Sequence, residues 1–191
     1  RYLFLERNNF SGSLPNFGNN GSIHYVNVHS NSFTNFIPAF TNLSNLRYLY
    51  LQNNNFTGIG EPNNLTNLYY YYAHNNQLQG EIPDFTTCTN LRYLTLYNNQ
   101  LTAYKVGSFK SLYRIRYFDL SNNNLNQTAQ DNILLDLYDN WNTIKRGGVT
   151  VNLRGNKNSV GVNETPSDEV KEKAFILVQN GWNISVNGGL S

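Results

Sequence analysis

The sequence predicts an α/β repeat solenoid: a right-handed curved coil with a parallel β-sheet on its concave side, an irregular convex side and helix-containing coils at its C-terminal end. Three observations carry this expectation. One asparagine recurs at Asn8, Asn31, Asn54, Asn76, Asn99 and Asn123, in steps of 23, 23, 22, 23 and 24 residues. Apolar residues stand at fixed offsets around each of them. Beyond Asn123 that period breaks, and the apolar spacing changes from that of strands to that of helices.

Each coil begins with an alternating pair: Leu3 and Leu5, Val26 and Val28, Leu49 and Leu51, Tyr71 and Ala73, Leu94 and Leu96, Phe118 and Leu120. Alternation over so short a run makes a strand with one buried face. The strands are expected near residues 2–6, 25–29, 48–52, 70–74, 93–97 and 117–121. A period near 23 returns the chain to the start of the next strand, so strands stack in parallel about 4.8 Å apart. The asparagine after each strand turns inward, where its amide can satisfy backbone groups in the turn. Two residues later, Phe10, Phe33, Phe56, Leu78, Leu101 or Leu125 fills the coil. A single coil cannot bury its own apolar side, so stability must come from its neighbours.

Residues 1–126 form the regular part, and 127–191 the longer, helix-containing part. Gln130 to Asn142 reads as a helix with Ile133, Leu134, Leu137 and Trp141 on one face. Gly147 and Gly148 lead into a strand from Val149 to Leu153, and Asn156 is expected as the seventh member of the asparagine series. Thr165 is the expected N-cap of a second helix, with Pro166 at its first position and Gly181 at its C-terminal end. Trp182, Ile184 and Val186 make a last strand.

At this point the repeats resemble the leucine-rich-repeat family, with its pattern LxxLxLxxNxL over about residues 1 to 156. The return segments Gly12-Ser13-Leu14-Pro15, Phe36-Ile37-Pro38 and Gly80-Glu81-Ile82-Pro83 resemble the plant-like GxIP type, whereas residues 57–64 and 102–110 depart from it. The C-terminal segment is similar to the helical closing units of bacterial and phage repeat proteins. Cysteine-rich caps are absent, which favours a bacterial or viral surface protein over a plant receptor. The chain begins at Arg1 inside a repeat and contains no Met. It reads as a processed chain or part of a longer one, with more repeats before it or an open first coil that docks on another subunit.

The composition narrows the function. With 14 Lys and Arg against 12 Asp and Glu, there is no electrostatic footprint for nucleic acid. No apolar run approaches the roughly 20 residues of a membrane helix, so membrane insertion is not expected. The single Cys88 excludes an internal disulfide, and its slot, shared with Leu43, Leu65 and Leu112, is that of a small core residue. No pairing of carboxylates, no Ser-His-Asp grouping and no cofactor motif emerges, and an enzyme is not expected. His29 and His74 share a face but lie a whole strand apart, so no metal site is expected either.

Strand alternation assigns the solvent-facing columns of the sheet. One column is a run of six tyrosines: Tyr2, Tyr25, Tyr48, Tyr70, Tyr93 and Tyr117. A second reads Phe4, Asn27, Tyr50, Tyr72, Thr95 and Asp119, and a third Glu6, His29, Gln52, His74, Tyr97 and Ser121. Beside them run Arg1, His24, Arg47, Tyr69, Arg92 and Arg116. Two readings stand. Tyrosines favour strands and stack on cross-strand neighbours without any ligand. Alternatively Tyr2, Tyr25, Tyr48, Tyr50, Tyr70, Tyr72, Tyr93, Tyr97 and Tyr117, with Arg47, Arg92 and Arg116, form a contact surface for a protein or a glycan. The expected role is recognition or adhesion outside the cell, on a cell surface or on a virion; the alternative is a fibre subunit that self-assembles. Asn-x-Ser/Thr sequons at Asn9, Asn20, Asn42, Asn55, Asn64, Asn126 and Asn163 are candidate glycan acceptors if the chain meets a glycosylating pathway. Asn183 has the same signature, but it adjoins the last strand.

Overall fold

The computed structural model describes residues 1–155 and 163–190. Eight short strands form one parallel sheet, lying side by side in chain order. They are β1 (Tyr2–Phe4), β3 (Tyr25–Asn27), β6 (Tyr48–Tyr50), β8 (Tyr70–Tyr72), β10 (Tyr93–Thr95), β12 (Tyr117–Asp119), β13 (Thr150–Asn152) and β14 (Asn183–Ser185). The intervening strands sit on the return limbs: β2 (Ser11–Ser13), β4 (Ser32–Thr34), β5 (Phe36–Ile37), β7 (Gly58–Ile59), β9 (Gln79–Ile82) and β11 (Gln100–Tyr104). They pair as β2 with β4, β5 with β7 and β9 with β11. The return side is therefore more regular than expected. Segments that lack the GxIP pattern still pair with a neighbour, because pairing needs only backbone groups at the right spacing; a bulge between Leu101 and Ala103 absorbs the mismatch in β11.

From Val26 onward the apolar offsets point into one continuous core. In the first coil Leu3 and Leu5 are partly buried and Phe10, expected to fill that coil, is 46% exposed, because that coil packs against a described neighbour on one side only. Leu49, Leu94, Leu96 and Phe118 are fully buried, and Phe33, Phe56, Leu78, Leu101 and Leu125 fill the coils as their spacing implied. Cys88 lies with them. Down one side of this core runs the asparagine series, and from Asn31 onward each amide joins two coils. Asn54 donates from Nδ2 to the carbonyls of Leu51 in its own coil (3.1 Å) and Val28 in the coil before (3.0 Å). Its Oδ1 accepts the Phe33 N–H at 3.0 Å. Asn76, Asn99 and Asn123 repeat the arrangement, each accepting from Phe56, Leu78 or Leu101.

The last of these seats is taken by Asn163, which donates to Leu120 and Leu153 and accepts from Leu125. Asn156, the expected occupant, lies outside the described residues. Asn163 is 1% exposed with its amide committed, so it is a core residue and not a surface glycan acceptor. Spacing could not find it, because the connection before it is longer than in the regular coils.

Just before each inner asparagine the backbone turns through left-handed geometry, at Arg7, Ser30, Asn53, Asn75, Asn98 and Asn122. Asparagine tolerates that conformation better than most residues. This accounts for the doubled Asn53-Asn54, Asn75-Asn76, Asn98-Asn99 and Asn122-Asn123. The outer members link side chain to side chain at 2.7 Å, Asn122 to Asn98 to Asn75 to Asn53.

Helix α1 (Gln127–Ile144) starts three residues earlier than its apolar period suggested, because the Asn126 side chain caps it by accepting the Ala129 N–H. Ile133, Leu134, Leu137 and Trp141 are buried as expected, but so is Asp136. Its carboxylate accepts the Tyr104 hydroxyl at 2.5 Å and the Gly107 N–H at 2.7 Å, which fastens α1 to β11. The N-cap position of helix α2 (Asp168–Gln179) is held by Ser167, not Thr165, and its side chain makes no capping hydrogen bond. The Ser167 N–H donates to Asp131 on α1, holding the chain extended past Pro166 and delaying the first turn. Among the described residues no helix is long and apolar enough to cross a membrane.

Candidate functional site

The register of the sheet brings the tyrosine column together residue on residue: Tyr2 pairs with Tyr25, then Tyr48, Tyr70, Tyr93 and Tyr117. From Tyr2 to Tyr93 the rings touch in an unbroken series. Their centroids lie 6.5, 5.6, 5.3 and 4.7 Å apart, and Tyr70 and Tyr93 are stacked within 3° of parallel. The second column leans onto the first, with Phe4 and Tyr50 flanking Tyr25 at 5.0 and 5.4 Å. Tyr72 meets Tyr70 edge-on at 5.7 Å. Tyr97 stacks instead on His74 in the third column, at 4.3 Å. Tyr117 turns its hydroxyl to Asp119 at 3.0 Å and so ends the series. Tyr2 and Phe4 are the most exposed of these rings at 66% and 59%, and the other tyrosines are half-buried.

Packing ring against ring withdraws the hydroxyls from water, which disfavours the phenolate. Burial, then neighbouring phenols, pushes Tyr72 up to about 12; burial, then the Asp119 charge, does the same to Tyr117. Tyr25, Tyr50, Tyr70 and Tyr97 are raised as well, chiefly by burial. The surface near neutral pH is therefore one of uncharged rings with O–H groups at their rims. Burial lowers His74 to about 4, and its Nδ1 lies 2.8 Å from the Thr95 hydroxyl, so the ring it presents to Tyr97 is neutral. Among the described residues no group of three or more His, Cys, Asp and Glu is placed to hold a metal ion.

The arginines fall into two groups. Arg47 stands apart near the middle of the margin. Arg92 lies over the Tyr69 ring, 5.0 Å from its centroid, and with Arg116 borders a hollow of about 240 Å³. Two further arginines, not among the sequence candidates, complete it: Arg114 and Arg146. Arg114 follows from alternation, two residues before Arg116. Arg146 had no signal in the sequence. It comes from the segment after α1, where a terminal guanidinium nitrogen donates to the Ile115 carbonyl and its own carbonyl accepts the Trp182 indole N–H at 2.8 Å.

The sequon asparagines separate by exposure. Asn9, Asn20, Asn42, Asn55 and Asn64 are exposed, Asn126 is exposed but occupied in capping α1, and Asn163 is buried.

Two family models, both described as leucine rich repeat, match residues 45–68 and 85–132. The ectodomain of the plant membrane receptor kinase GASSHO1/SCHENGEN3 from Arabidopsis thaliana, solved in complex with CASPARIAN STRIP INTEGRITY FACTOR 2, superposes with a TM-score of 0.69 at 19% identity over 97% of this chain and 24% of that one. The plant peptide hormone receptor RGFR1, in complex with RGF2, gives 0.69 at 18% identity over 97% and 28%. A leucine-rich-repeat protein of Leptospira interrogans gives 0.61 at 21% identity over 98% and 50%. This chain thus spans between a quarter and a half of the length of these proteins, and at such identities the likeness is one of fold. A search of curated protein sequences finds no match. The chain carries leucine-rich repeats in these two stretches and has the fold of a leucine-rich-repeat solenoid.

Proposed function

We propose that this solenoid is a non-catalytic recognition module working outside the cell, which binds an extended peptide segment of a protein partner on its tyrosine-lined sheet. The observation that carries the reading is the unbroken ring contact from Tyr2 to Tyr93 across five strands. Such a platform offers rigid amphipathic area whose ordering cost is already met in the fold, the property that makes tyrosine dominant in binding surfaces. Four strand spacings give about 19 Å, the reach of roughly six extended peptide residues lying across the strands. The plant receptor matched above was solved with a peptide hormone system, which is consistent with this use of the fold.

The test is selection of peptides from a displayed library, with affinities measured by calorimetry. Changing Tyr48, Tyr70 and Tyr93 together to Ser removes the centre of the platform and is expected to weaken binding by about 30-fold or more. Far-UV circular dichroism checks that the variant folds. Unchanged affinity in a folded variant would overturn the sheet as the site, and selective binding on a glycan array with no peptide selected would overturn the peptide.

A further inference from the structure

The four arginines at the margin of the sheet are an unusual expenditure of charge. The whole chain has only 14 Lys and Arg, yet Arg92, Arg114, Arg116 and Arg146 border one hollow. They come from three separate places in the chain: the approaches to β10 and β12, and the connection after α1. Among the described residues no ion pair balances them. Among the described residues every ion pair uses a lysine: Lys105 with Asp84, Lys110 with Asp136 and Asp139, and Lys171 with Asp168.

Arg146 shows the strain of this arrangement. Its buried Nε has no hydrogen-bond partner among the described residues. Burial, and then the like charges of Arg116 and Arg92, hold its guanidinium below the ordinary arginine range. Its place is fixed nonetheless, by its bonds to Ile115 and Trp182 at the two ends of the residue. A protein gains no stability from like charges brought together; such a cluster is relieved when an anion enters it.

We propose that this hollow is an oxyanion seat, taking one tetrahedral anionic group, a sulfate or phosphate ester, on the peptide ligand that lies along the tyrosine sheet. The proposal rests on the sheet being the peptide site and adds the ligand's chemical signature. Two physical arguments choose the group. Guanidinium forks bind oxyanions through paired N–H donors, and a tetrahedral ester group has three terminal oxygens, acceptors enough for more than one fork. A single carboxylate, with two oxygens in one plane, would engage one fork and leave the others without an acceptor. A third argument chooses the molecule. At about 240 Å³ the hollow is smaller than the roughly 300–1,000 Å³ of sites for drug-sized ligands, and so suits one group. Arg47 is set apart from the cluster by Tyr69, and beyond the hollow the margin carries Arg1 and Arg47 singly, not as a second cluster. One anionic group beside a neutral aromatic strip fits an esterified peptide side chain better than a sulfated polysaccharide.

The experiment uses the whole chain and begins with the free ions. Sodium sulfate, sodium phosphate and sodium acetate are compared with sodium chloride at matched ionic strength, by thermal denaturation and by calorimetry. Sulfate stabilises proteins generally, so the informative quantity is the difference between variants. Arg114 and Arg116 are both exposed, so the double variant Arg114→Gln/Arg116→Gln is expected to fold. Its sulfate and phosphate binding should fall about ten-fold or more, in keeping with the loss of charge-assisted hydrogen bonds. Arg7→Gln, which removes the same charge at the far end of the sheet, should behave as the unaltered chain. Acetate should have no effect beyond that of chloride. Peptides selected on the sheet are then synthesised plain, sulfated and phosphorylated; at least one ester should bind about ten-fold or more tightly than its plain form, and only with the arginines intact.

Equal sulfate response in all three proteins would overturn the seat while leaving the tyrosine sheet untouched. Loss of peptide binding in the tyrosine triple variant with ion binding retained supports the two as separate parts of one surface. Tight binding of a heparin-like polymer that survives Arg114→Gln/Arg116→Gln, with no preference for esterified peptides, would overturn the proposal.

Discussion

Replacing Asn99 by alanine tests the central claim about how the coils are held together. Asn99 is 2% exposed and its amide joins two coils. Nδ2 donates to the carbonyls of Leu96 at 2.9 Å and Ala73 at 3.1 Å, and Oδ1 accepts the Leu78 N–H at 3.0 Å. Alanine leaves the Leu78 N–H without its acceptor inside the core, whereas the Ala73 and Leu96 carbonyls each keep one amide donor, from Asn76 and Asn123. An orphaned buried polar group costs about 1–3 kcal/mol. One orphaned donor and two carbonyls that each lose one of two donors give an expected loss of about 2–4 kcal/mol. Asn8 offers the internal comparison. It makes the equivalent bonds to Leu5 and Glu6 at 3.1 and 3.0 Å, but it is exposed and water can replace it. Asn8→Ala should cost less than about 1 kcal/mol. Urea unfolding followed by far-UV circular dichroism and by the fluorescence of Trp141 and Trp182 gives both values. Coincidence of the two probes checks that the array unfolds as a unit. If the two variants lose stability equally, or if Asn99→Leu recovers what Asn99→Ala loses, filled volume and not the amide is what that seat requires.

Three further outcomes are expected. Among the described residues the buried Tyr71 hydroxyl has no hydrogen-bond partner, so Tyr71→Phe should stabilise the chain by about 1 kcal/mol in the same urea experiment; a loss of that size would show that the hydroxyl has a partner. His74 falls from an ordinary 6.5 to about 4 in the folded chain, so between those values the unfolded chain binds the extra proton. Its contribution is therefore complete above pH 6.5 and is lost as the pH falls toward 4. Unfolding midpoints should decline more steeply over that window for the unaltered chain than for His74→Gln, and identical slopes would remove His74 from the account. The Cys88 thiol, pushed up to about 12 by burial and lying 3.4 Å from the Pro62 carbonyl oxygen, should ignore a thiol-specific reagent in the native chain and react once denaturant is added; prompt native-state labelling would mean that this coil opens readily.

The sequence carried the periodic part of the fold because a repeat states the same local problem several times. Six strands, the columns they present and the inward asparagines all follow from offsets of two, three and 23 residues. Even the left-handed turns were written in the doubled asparagines, a signal available from Asn53-Asn54 through Asn122-Asn123 but read only for its inner members. The cap on α1 was equally local: Asn126 stands immediately before the helix whose first turn it closes. Helix α2 was mistimed because its start depends on Asp131, more than thirty residues away on another helix.

What the sequence by itself determined, then, is everything that recurs: parallel strands in register, a shared core and a column of tyrosines. The tertiary structure alone decided which residues meet without a period to link them. Asn163 reaches the seat assigned to Asn156 because a longer connection delivers it there. Asp136 turns inward on α1 because Tyr104 and Gly107 supply donors for it. Arg146 joins Arg92, Arg114 and Arg116 because the return from α1 passes beside the sheet margin. Repetition fixes neighbours at known offsets, whereas a hydrogen bond or a charge cluster formed across unequal loops depends on where the chain has been carried, and no spacing in the sequence encodes that distance.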